Sequence, residues 1–232
     1  MLVVTQAAAT TALTTRARVK LELGISSNSD DDWLDLAIAE VTAAACEVMN
    51  VEMAEDGTRN FGVEGVTETI DHRTRYPWLP PLGVIRPRRE ADTWIILSRR
   101  PVLGITSITE NGVTVDPSDY ELFATSGKVK RLSAGVVAAW PCTIIVVAYS
   151  AGWKLPGDGA AITAKAMPAS IEKAVIEGVK ARYFARKRDA NVKSENIPGV
   201  RQVDYFFGTP GQGDPLPPLS MSLLDAYRNI SL

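Results

Sequence analysis

Residues 94–153 are WIILSRRPVLGITSITENGVTVDPSDYELFATSGKVKRLSAGVVAAWPCTIIVVAYSAGW, a series of short apolar stretches separated by turn signals. Asn111-Gly112 and Ser126-Gly127 are dipeptides typical of tight turns between antiparallel strands. Stretches rich in Val, Ile, Thr and aromatic residues at this spacing are typical of β-strands. The pattern predicts five or six strands in a compact antiparallel sheet or small sandwich. The last strand, over 143–149, is apolar on both faces and is expected to be the best buried.

Two helices are predicted before this region. Thr14 or Thr15 is a suitable N-cap and Gly24 a suitable C-terminal stop, which predicts a helix over 15–23. A second helix is predicted over 30–49, because apolar residues recur there at three- and four-residue steps. Its first turn holds three carboxylates, Asp30 to Asp32, where the exposed N–H groups favour negative charge. The apolar side chains assigned to the first helix are Ala17, Val19 and Leu21.

A third helix is predicted from Pro168, a residue suited to the first helical position, to about Arg188. Apolar residues cover much of its circumference, so two of its faces need burial. We expect one face to pack on the second helix and the sheet, which leaves the other face for a neighbouring subunit. The candidate inter-subunit face is a stripe of small residues at helical spacing: Ala174, Gly178, Ala181 and Ala185.

The segment after Lys193 is rich in Pro and Gly but also carries many apolar side chains. Flexible linkers seldom contain so many aromatic residues. We therefore expect an extended arm that ends in a short helix or turn over 220–229. Its apolar side chains need a host surface, either on the same chain or on a partner. These side chains are Val203, Tyr205, Phe206, Phe207, Leu223, Leu224 and Tyr227.

A proline-rich excursion is predicted over 57–93. Residues 67–72 alternate like a strand, whereas 76–90 contain four prolines, which are incompatible with a continuous helix or a central strand. Trp78 and Leu79 either form a docking element or fold back on the core. His72, the single histidine, is interpreted as a structural or surface residue.

Composition narrows the functional classes. Lys and Arg total 25 against 27 Asp and Glu, a net charge of −2, so no global field draws the chain onto DNA or an anionic membrane. One histidine and two cysteines, Cys46 and Cys142, cannot build a His-based or CxxC metal site, and no GxSxG elbow is present. No cofactor and no metal are expected. Without an export pattern or an apolar run of about 20 residues, a cytosolic chain with no membrane contact is expected.

Basic residues cluster in four short stretches, at 86–89, 99–100, 128–131 and 180–188. Solvated faces and salt bridges between subunits are the simplest interpretation of such clusters in a near-neutral chain. They could also line a channel that carries DNA, and the candidates for this role are Lys128, Lys130 and Arg131. The basic end of the third helix would serve a DNA-binding module through Lys180, Arg182, Arg186, Lys187 and Arg188.

The order of these elements resembles that of the phage head-tail connector proteins, the adaptor or head completion family. Two N-terminal helices are followed by ILSRRPVLGITSITENGVTVDPSDYEL at 96–122, a glycine hairpin, and an aromatic-proline pair before TIIVVAYSAGW at 143–153. A proline-started helix then runs through KARYFARKRD at 180–189, and the tail closes in LLDAYRNI at 223–230. The resemblance covers most of the chain.

This resemblance implies a structural virion protein at the head-tail interface, assembled in the host cytoplasm. About a dozen copies would form a ring on the portal protein, extend the DNA channel and provide a platform for a stopper or tail protein. DNA would pass without sequence-specific binding, and no reaction would be catalysed. Carried onto this chain, the family's C-terminal arm implies portal contacts by the seven apolar residues of the arm named above.

The expected fold class is α+β. A helical bundle of the two N-terminal helices and the long late helix is joined by a small antiparallel β domain and an extended C-terminal arm. The expected segments are 1–56 for the N-terminal helices, 57–93 for the excursion, 94–155 for the β domain, 165–189 for the long helix and 190–232 for the arm.

Three alternatives stay open. The chain could be another ring-forming virion component, such as a stopper or a tail terminator, or the DNA-binding module described above. An enzyme is the third, although no motif places two carboxylates across a cleft.

Overall fold

The computed structural model describes residues 1–71, 93–141, 144–186, 194–197, 201–204 and 215–228. The chain divides into two compact units. The β unit comprises Met1–Ala9, Glu52–Lys154 and Ile162–Ala164, and the helical unit comprises Thr10–Val51, Leu155–Ala161 and Lys165–Leu232. The predicted mixed α+β class is confirmed.

The four helices in the described ranges are α1 (Arg16–Leu23), α2 (Asp31–Val48), α3 (Ala169–Ala185) and α4 (Pro218–Asp225). The two N-terminal helices begin and end within a residue of the predicted positions. Thr15 caps α1 by accepting a hydrogen bond from the Arg18 N–H at 3.3 Å. Gly24 ends it in the left-handed conformation, with φ of 68°.

The apolar side of α1 differs from the prediction. Val19 is completely buried, whereas Leu21 is 70% exposed and Ala17 is exposed as well. Eight residues make only two turns, so a single inward position satisfies the packing of this short helix.

The core of the helical unit is apolar and lies between α2, α3 and α4. Side chains from all three helices, and from the segment that leads into α4, are buried in it. They include Leu34, Ile38, Val41, Ala45, Ile171, Ala174, Val175, Val179, Leu216 and Leu224. The range of this unit also contains a two-stranded antiparallel ladder, β10 (Ser194–Ile197) with β11 (Arg201–Asp204).

The β unit contains a five-stranded antiparallel sheet with the strand Ile144–Ala151 at its centre. Its strands are β1 (Leu2–Gln6), β2 (Glu64–Asp71), β9 (Ile144–Ala151), β4 (Val102–Glu110) and β5 (Val113–Thr114), in that spatial order. The central position of β9 agrees with its prediction as the best-buried strand, although burial alternates along it because one face packs more closely on the core. The strand β1 was not predicted, since five residues among small and polar neighbours carry too weak a pattern.

A second sheet in the β unit has β3 (Trp94–Ile96), β7 (Lys128–Ser133) and β6 (Tyr120–Phe123) in that order, with β8 (Val136–Val137) also paired to β7. The predicted turns are present: Asn111 and Gly112 both have positive φ between β4 and β5, and Gly127 has φ of 66° before β7. Buried side chains of both sheets form one hydrophobic cluster that includes Ile95, Val129 and Ile145.

The compact units do not follow the predicted segment boundaries. The segment 1–56 was assigned to helices, but β1 pairs with β2 and belongs to the β unit. The segment 190–232 was assigned to an arm, but α4 packs on α3 and α2 within the helical unit. In both places contacts distant in sequence decide the membership of a short element.

Candidate functional site

The described residues contain no group of three or more His, Cys, Asp or Glu side chains able to hold a metal ion. None of the described helices is both long enough and apolar enough to span a membrane. The site residues expected from the sequence fall on three surfaces, which are the chain end, the stripe on α3 and the basic strand β7.

The chain end packs on its own helical unit through α4. Leu224 is completely buried, and Ser220 is buried with its hydroxyl donating to the Ala174 carbonyl at 2.7 Å. The Tyr227 and Ser170 hydroxyls are hydrogen-bonded at 2.8 Å, and Leu223 is half-buried. Of the two hosts left open for these side chains, Leu224 has the one on its own chain, because α3 and α2 cover it, and this disagrees with the portal contact that the resemblance implies for it.

The other four residues of the predicted arm contact are Val203, Tyr205, Phe206 and Phe207. Val203 lies in β11, paired with Glu195 of β10, and only its backbone placement is described. Tyr205, Phe206 and Phe207 lie outside the described residues. Their role as portal contacts stays a prediction.

The small-residue stripe on α3 is divided into a covered half and an open half. Ala174 and Gly178 are buried, and a Cβ added at Gly178 would meet Val41 Cγ1 at 2.7 Å and Leu216 Cδ2 at 3.5 Å. Ala181 is half-buried and Ala185 is exposed. The assignment of the whole stripe to a neighbouring subunit is wrong for Ala174 and Gly178, since this chain's own α2 and the segment before α4 occupy that face.

Three cations near the end of α3 form ion pairs with acidic side chains of the same chain. The Arg182 guanidinium pairs with Glu40, and the Arg186 guanidinium pairs with Asp30 at 2.6 Å. Lys180 pairs with Glu177 at 3.1 Å.

Aromatic rings also surround Arg186. Its guanidinium lies 5.1 Å from the Trp33 ring centroid and 4.8 Å from that of Tyr183. The described cations at this helix end are thus engaged within the chain, while Lys187 and Arg188 lie outside the described residues.

The three basic residues of β7 do not share one face. Side chains alternate along a strand, so Lys128 and Lys130 project to one side of the sheet and Arg131 to the other with the buried Val129. The Arg131 Nε donates to Glu110 Oε1 at 2.7 Å, and its Nη1 donates to the Asp119 carbonyl at 2.8 Å. Arg131 thus connects elements of its own unit, which makes it a poorer candidate for a channel lining than Lys128 and Lys130.

Lys128 and Lys130 lie on the open face of the second sheet beside aromatic residues that no motif in the sequence indicates. Trp94 faces Lys130 across the β3–β7 ladder, and the Lys128 Nζ lies 4.3 Å from the centroid of the Trp94 ring. Phe123 faces Lys128 across the β6–β7 ladder and is 44% exposed. The alternation in WII, ELF and KVK indicates which side chains of each strand share a face. It does not indicate the register that brings the three strands together.

A charged network is buried in the β unit. The Arg99 Nε lies 3.5 Å from Glu64 Oε2, and the Arg99 Nη1 donates to the Asn60 carbonyl at 3.1 Å. The Asn60 amide in turn donates to Glu64 Oε1 at 3.1 Å. Burial raises the pKa of Glu64, and the Arg99 charge and the Asn60 hydrogen bond oppose that rise. Because both charges are more than nine-tenths buried, each depends on the other to remain in the core.

A cavity of about 220 Å³ lies in the same unit and is lined by Met1, Leu2, Glu52, Met53, Glu55, Glu68 and Ser98. Glu68 accepts hydrogen bonds from the Ser98 N–H at 3.0 Å, the Ser98 hydroxyl at 2.6 Å and the Tyr149 hydroxyl at 2.7 Å. Burial and the neighbouring Glu68 charge raise the pKa of the Tyr149 hydroxyl. With three donors from its own chain, the Glu68 carboxylate connects β2, β9 and the segment after β3.

The comparisons with known proteins identify a class of fold. No family model matches the chain, and no curated protein matches it in sequence. A solved chain from the neck of an empty GTA particle, computed with C6 symmetry, matches with a TM-score of 0.51 and 15% identity, covering 100% of this chain and 97% of that chain. A GTA is a gene transfer agent, a phage-like particle.

A chain from the neck of a native GTA particle, computed with C12 symmetry, has 14% identity, the same coverages and a TM-score of 0.49. At these identities the likeness concerns the fold alone. The chain therefore shares its mixed α+β fold, over its whole length, with a chain from the neck of the empty particle.

Proposed function

We propose that this chain is a structural component of the neck of a phage-like particle, where it forms a ring between the portal and the tail. The observation that carries the proposal is the fold likeness to a GTA neck chain, which extends over 100% of this chain and 97% of the other. A likeness of such extent includes both units, so it is not the coincidence of a single common motif. The order of sequence motifs independently supports the same class.

Within the neck we propose the adaptor position. In that position a ring of about a dozen copies binds the portal protein, continues the DNA channel and presents a platform to a stopper or tail protein. Each contact in such a ring can be weak, because closure of the ring and simultaneous attachment to the portal multiply their effect. The role requires no catalysis and no cofactor.

The portal-contact segment is proposed to be shorter than the sequence suggested. Leu224 is unavailable because it is buried, and the Tyr227 hydroxyl is bonded to Ser170 within the chain. The proposed contact is therefore limited to the region of Val203, Tyr205, Phe206 and Phe207, with Leu223 at its margin. A partner that binds this segment would bury its aromatic rings, and burial of apolar surface favours association.

The pairing of cations at the end of α3 disfavours the DNA-binding alternative. Arg182 and Arg186, which would contact phosphates, are held by Glu40 and Asp30 of the same chain. Binding of DNA there would require these pairs to be broken. We infer that Arg182 and Arg186 do not bind the DNA that passes the ring.

The neck position is tested by removing the gene from the particle's producer and imaging the products by electron microscopy. A neck component joins two otherwise complete structures, so we expect filled heads and separate tails, and restored particles when the wild-type chain is supplied. Density for this chain at the head-tail junction of the restored particles would complete the test. Intact tailed particles without the chain would contradict the proposal.

The arm is tested separately with the triple variant Tyr205→Ser, Phe206→Ser and Phe207→Ser. We expect the variant to lose sedimentation with the portal while its circular dichroism and melting temperature stay close to wild type. Leu219→Ser is the control, since this apolar side chain is 55% exposed on α4 and outside the proposed contact. Undiminished portal attachment of the triple variant would contradict the role of the arm. Deletion of 199–232 is unsuitable, because it also removes Leu216 and Leu224 from the core.

A further inference from the structure

The outer face of the second sheet combines apolar and basic side chains in two cross-strand rows. Trp94, Lys130 and Glu121 form one row, in the order β3, β7, β6. Ile96, Lys128 and Phe123 form the next row. We call these six residues the Trp-Lys face. Large apolar side chains beside cations are typical of surfaces that bind a protein partner.

The two lysines of the Trp-Lys face are free to pair with a partner. Among the described residues neither Lys128 nor Lys130 forms an ion pair, and Lys128 contacts only the Trp94 ring by its charge. Glu121, directly opposite Lys130, is exposed. The face therefore carries two cations and one anion, and a complementary surface needs carboxylates next to an apolar side chain.

Such a complementary surface exists on α2. Leu36 is 60% exposed, and Asp32 lies one turn before it on the same side of the helix. Asp35 is three residues after Asp32 and is exposed as well. Asp32 has no ion pair among the described residues, and Asp35 is paired only with Arg16 at 3.4 Å, with both side chains more than two-fifths exposed. Exposed pairs of that kind contribute little and exchange readily. We call Asp32, Asp35 and Leu36 the acidic α2 face.

We propose that, in the ring inferred above, the Trp-Lys face of one copy binds the acidic α2 face of the next copy. Leu36 would enter the apolar part formed by Trp94, Ile96 and Phe123, and the two aspartates would pair with the two lysines. Because the two faces are different surfaces of the chain, the contact is head-to-tail, and head-to-tail contacts form a ring where the rotation between copies closes. The inference rests on the proposed function for the ring itself, and on the charges and exposures of these residues for the contact.

A second copy is favoured over DNA as the occupant of the Trp-Lys face. Its three large apolar side chains would gain nothing from a phosphate backbone, and Glu121 would repel one. An acidic helix face with an exposed leucine satisfies both the apolar and the charged parts. DNA remains a distinct outcome in the experiment below.

The experiment is a charge reversal measured by sedimentation velocity of the purified chain at low salt over a range of concentrations. We expect wild type to be monomeric when dilute and to associate weakly when concentrated, with the association lost as salt is added. Lys128→Glu/Lys130→Glu should weaken this association roughly tenfold or more, because like charges then face each other. Asp32→Lys/Asp35→Lys should do the same from the other side.

The decisive variant combines all four substitutions in one chain. It restores opposite charges across the contact, so association should return toward that of wild type. The matched control is Arg59→Glu/Lys154→Glu, which makes the same change in net charge in the β unit, at side chains that have no ion pair among the described residues. This control should associate as wild type does, and circular dichroism should be unchanged in every variant.

Absence of any association in wild type, or failure of the fourfold variant to regain it, would overturn the proposal. So would lysine-dependent binding of a duplex oligonucleotide without self-association, which would make the Trp-Lys face a DNA contact. The neck assignment is tested independently of this contact. If the fourfold variant regains association but particles that lack the chain are normal, the contact between copies is supported and the neck assignment is wrong.

Discussion

The sequence indicates both the small-residue stripe on α3 and the basic strand β7 as candidate interaction surfaces. In the structure the chain covers half of the stripe itself, whereas two lysines of β7 lie on an open sheet face. Gly178 of the stripe is buried, and a Cβ added there would meet Val41 and Leu216 of its own chain. Lys128 and Lys130 of β7 face outward beside Trp94 and Phe123 and have no ion pair among the described residues. The first half of the stripe thus marks a place where this chain packs closely on itself, and the two lysines mark a place where it does not.

The two units also differ in where they place their apolar and charged side chains. The helical unit buries apolar side chains and keeps its charges at the surface in pairs such as Lys173 with Glu177, at 2.8 Å. The β unit buries the Glu64–Arg99 pair and leaves a basic, aromatic sheet face open. The helical unit is therefore expected to respond mainly to changes in packing, and the β unit to changes in charge.

The largest expected effect is on the covered side of this comparison. Leu224→Ala removes a completely buried side chain from the contact of α4 with α3, so the free energy of unfolding of the helical unit should fall by about 2–5 kcal/mol. Denaturant unfolding followed by far-ultraviolet circular dichroism measures the loss. Leu219→Ala on the exposed side of the same helix should stay within about 0.5 kcal/mol of wild type. Equal losses in the two variants would mean that α4 does not pack as described.

A smaller effect on stability is expected from substitutions that compare the covered half of the stripe with its open half. Gly178→Val should lower the free energy of unfolding by about 1–3 kcal/mol, because even its Cβ would approach Val41 Cγ1 to 2.7 Å. Ala185→Val, at the exposed end of the same stripe, introduces the same side chain without that collision and should change stability by less than about 0.5 kcal/mol. A thermal unfolding series on the two variants checks this, and a tolerant Gly178 would return the whole stripe to the list of possible subunit contacts.

The smallest expected effect concerns the pH dependence of stability, which should have opposite signs for a glutamate in the β unit and a glutamate in the helical unit. Burial raises the pKa of Glu64 above 4.5, so the folded state retains this proton at pH values where the unfolded chain has lost it. Stability from this group is therefore present below pH 4.5 and is lost as the pH rises through the raised pKa. Glu177 is the opposite case: hydrogen bonding to Lys173 lowers its pKa, so its contribution is present above pH 4.5 and is lost as the pH falls through the lowered pKa.

The two carboxyl groups are distinguished by measuring the free energy of unfolding from below to above pH 4.5 for wild type, Glu64→Gln and Glu177→Gln. The advantage of wild type over Glu64→Gln should shrink as the pH rises, and its advantage over Glu177→Gln should shrink as the pH falls. Slopes of the same sign would show that burial does not govern Glu64.

Much of the local structure could be predicted because its signals are contained in neighbouring residues. The cap at Thr15, the stop at Gly24 and the turns at Asn111-Gly112 and before Lys128 are present where the sequence placed them. Each depends on a hydrogen bond or a backbone conformation that a few consecutive residues determine. The strand β1 lacked such a signal, since its pairing with β2 joins residues 59 to 66 positions apart.

The candidate surfaces were harder to predict because exposure is a property of the folded chain. Leu224 and Leu219 are both leucines in one short helix, yet one is fully buried and the other is open. Arg131 and Lys130 are adjacent basic residues, yet only Arg131 finds Glu110 and Asp119 on its side of the sheet. Residue type and spacing identify side chains that want a partner, but not which partner the fold supplies.

The sequence by itself determined the α+β class, the positions of the two N-terminal helices and of the hairpin turns, and the identity of the apolar, small and basic side chains that required an explanation. Only the tertiary structure decided which of them the chain covers with its own α4 and which it leaves open on the Trp-Lys face. The physical reason is that caps and turns are stabilised by bonds between near neighbours, whereas burial and ion pairing are settled by register and packing between segments far apart along the chain.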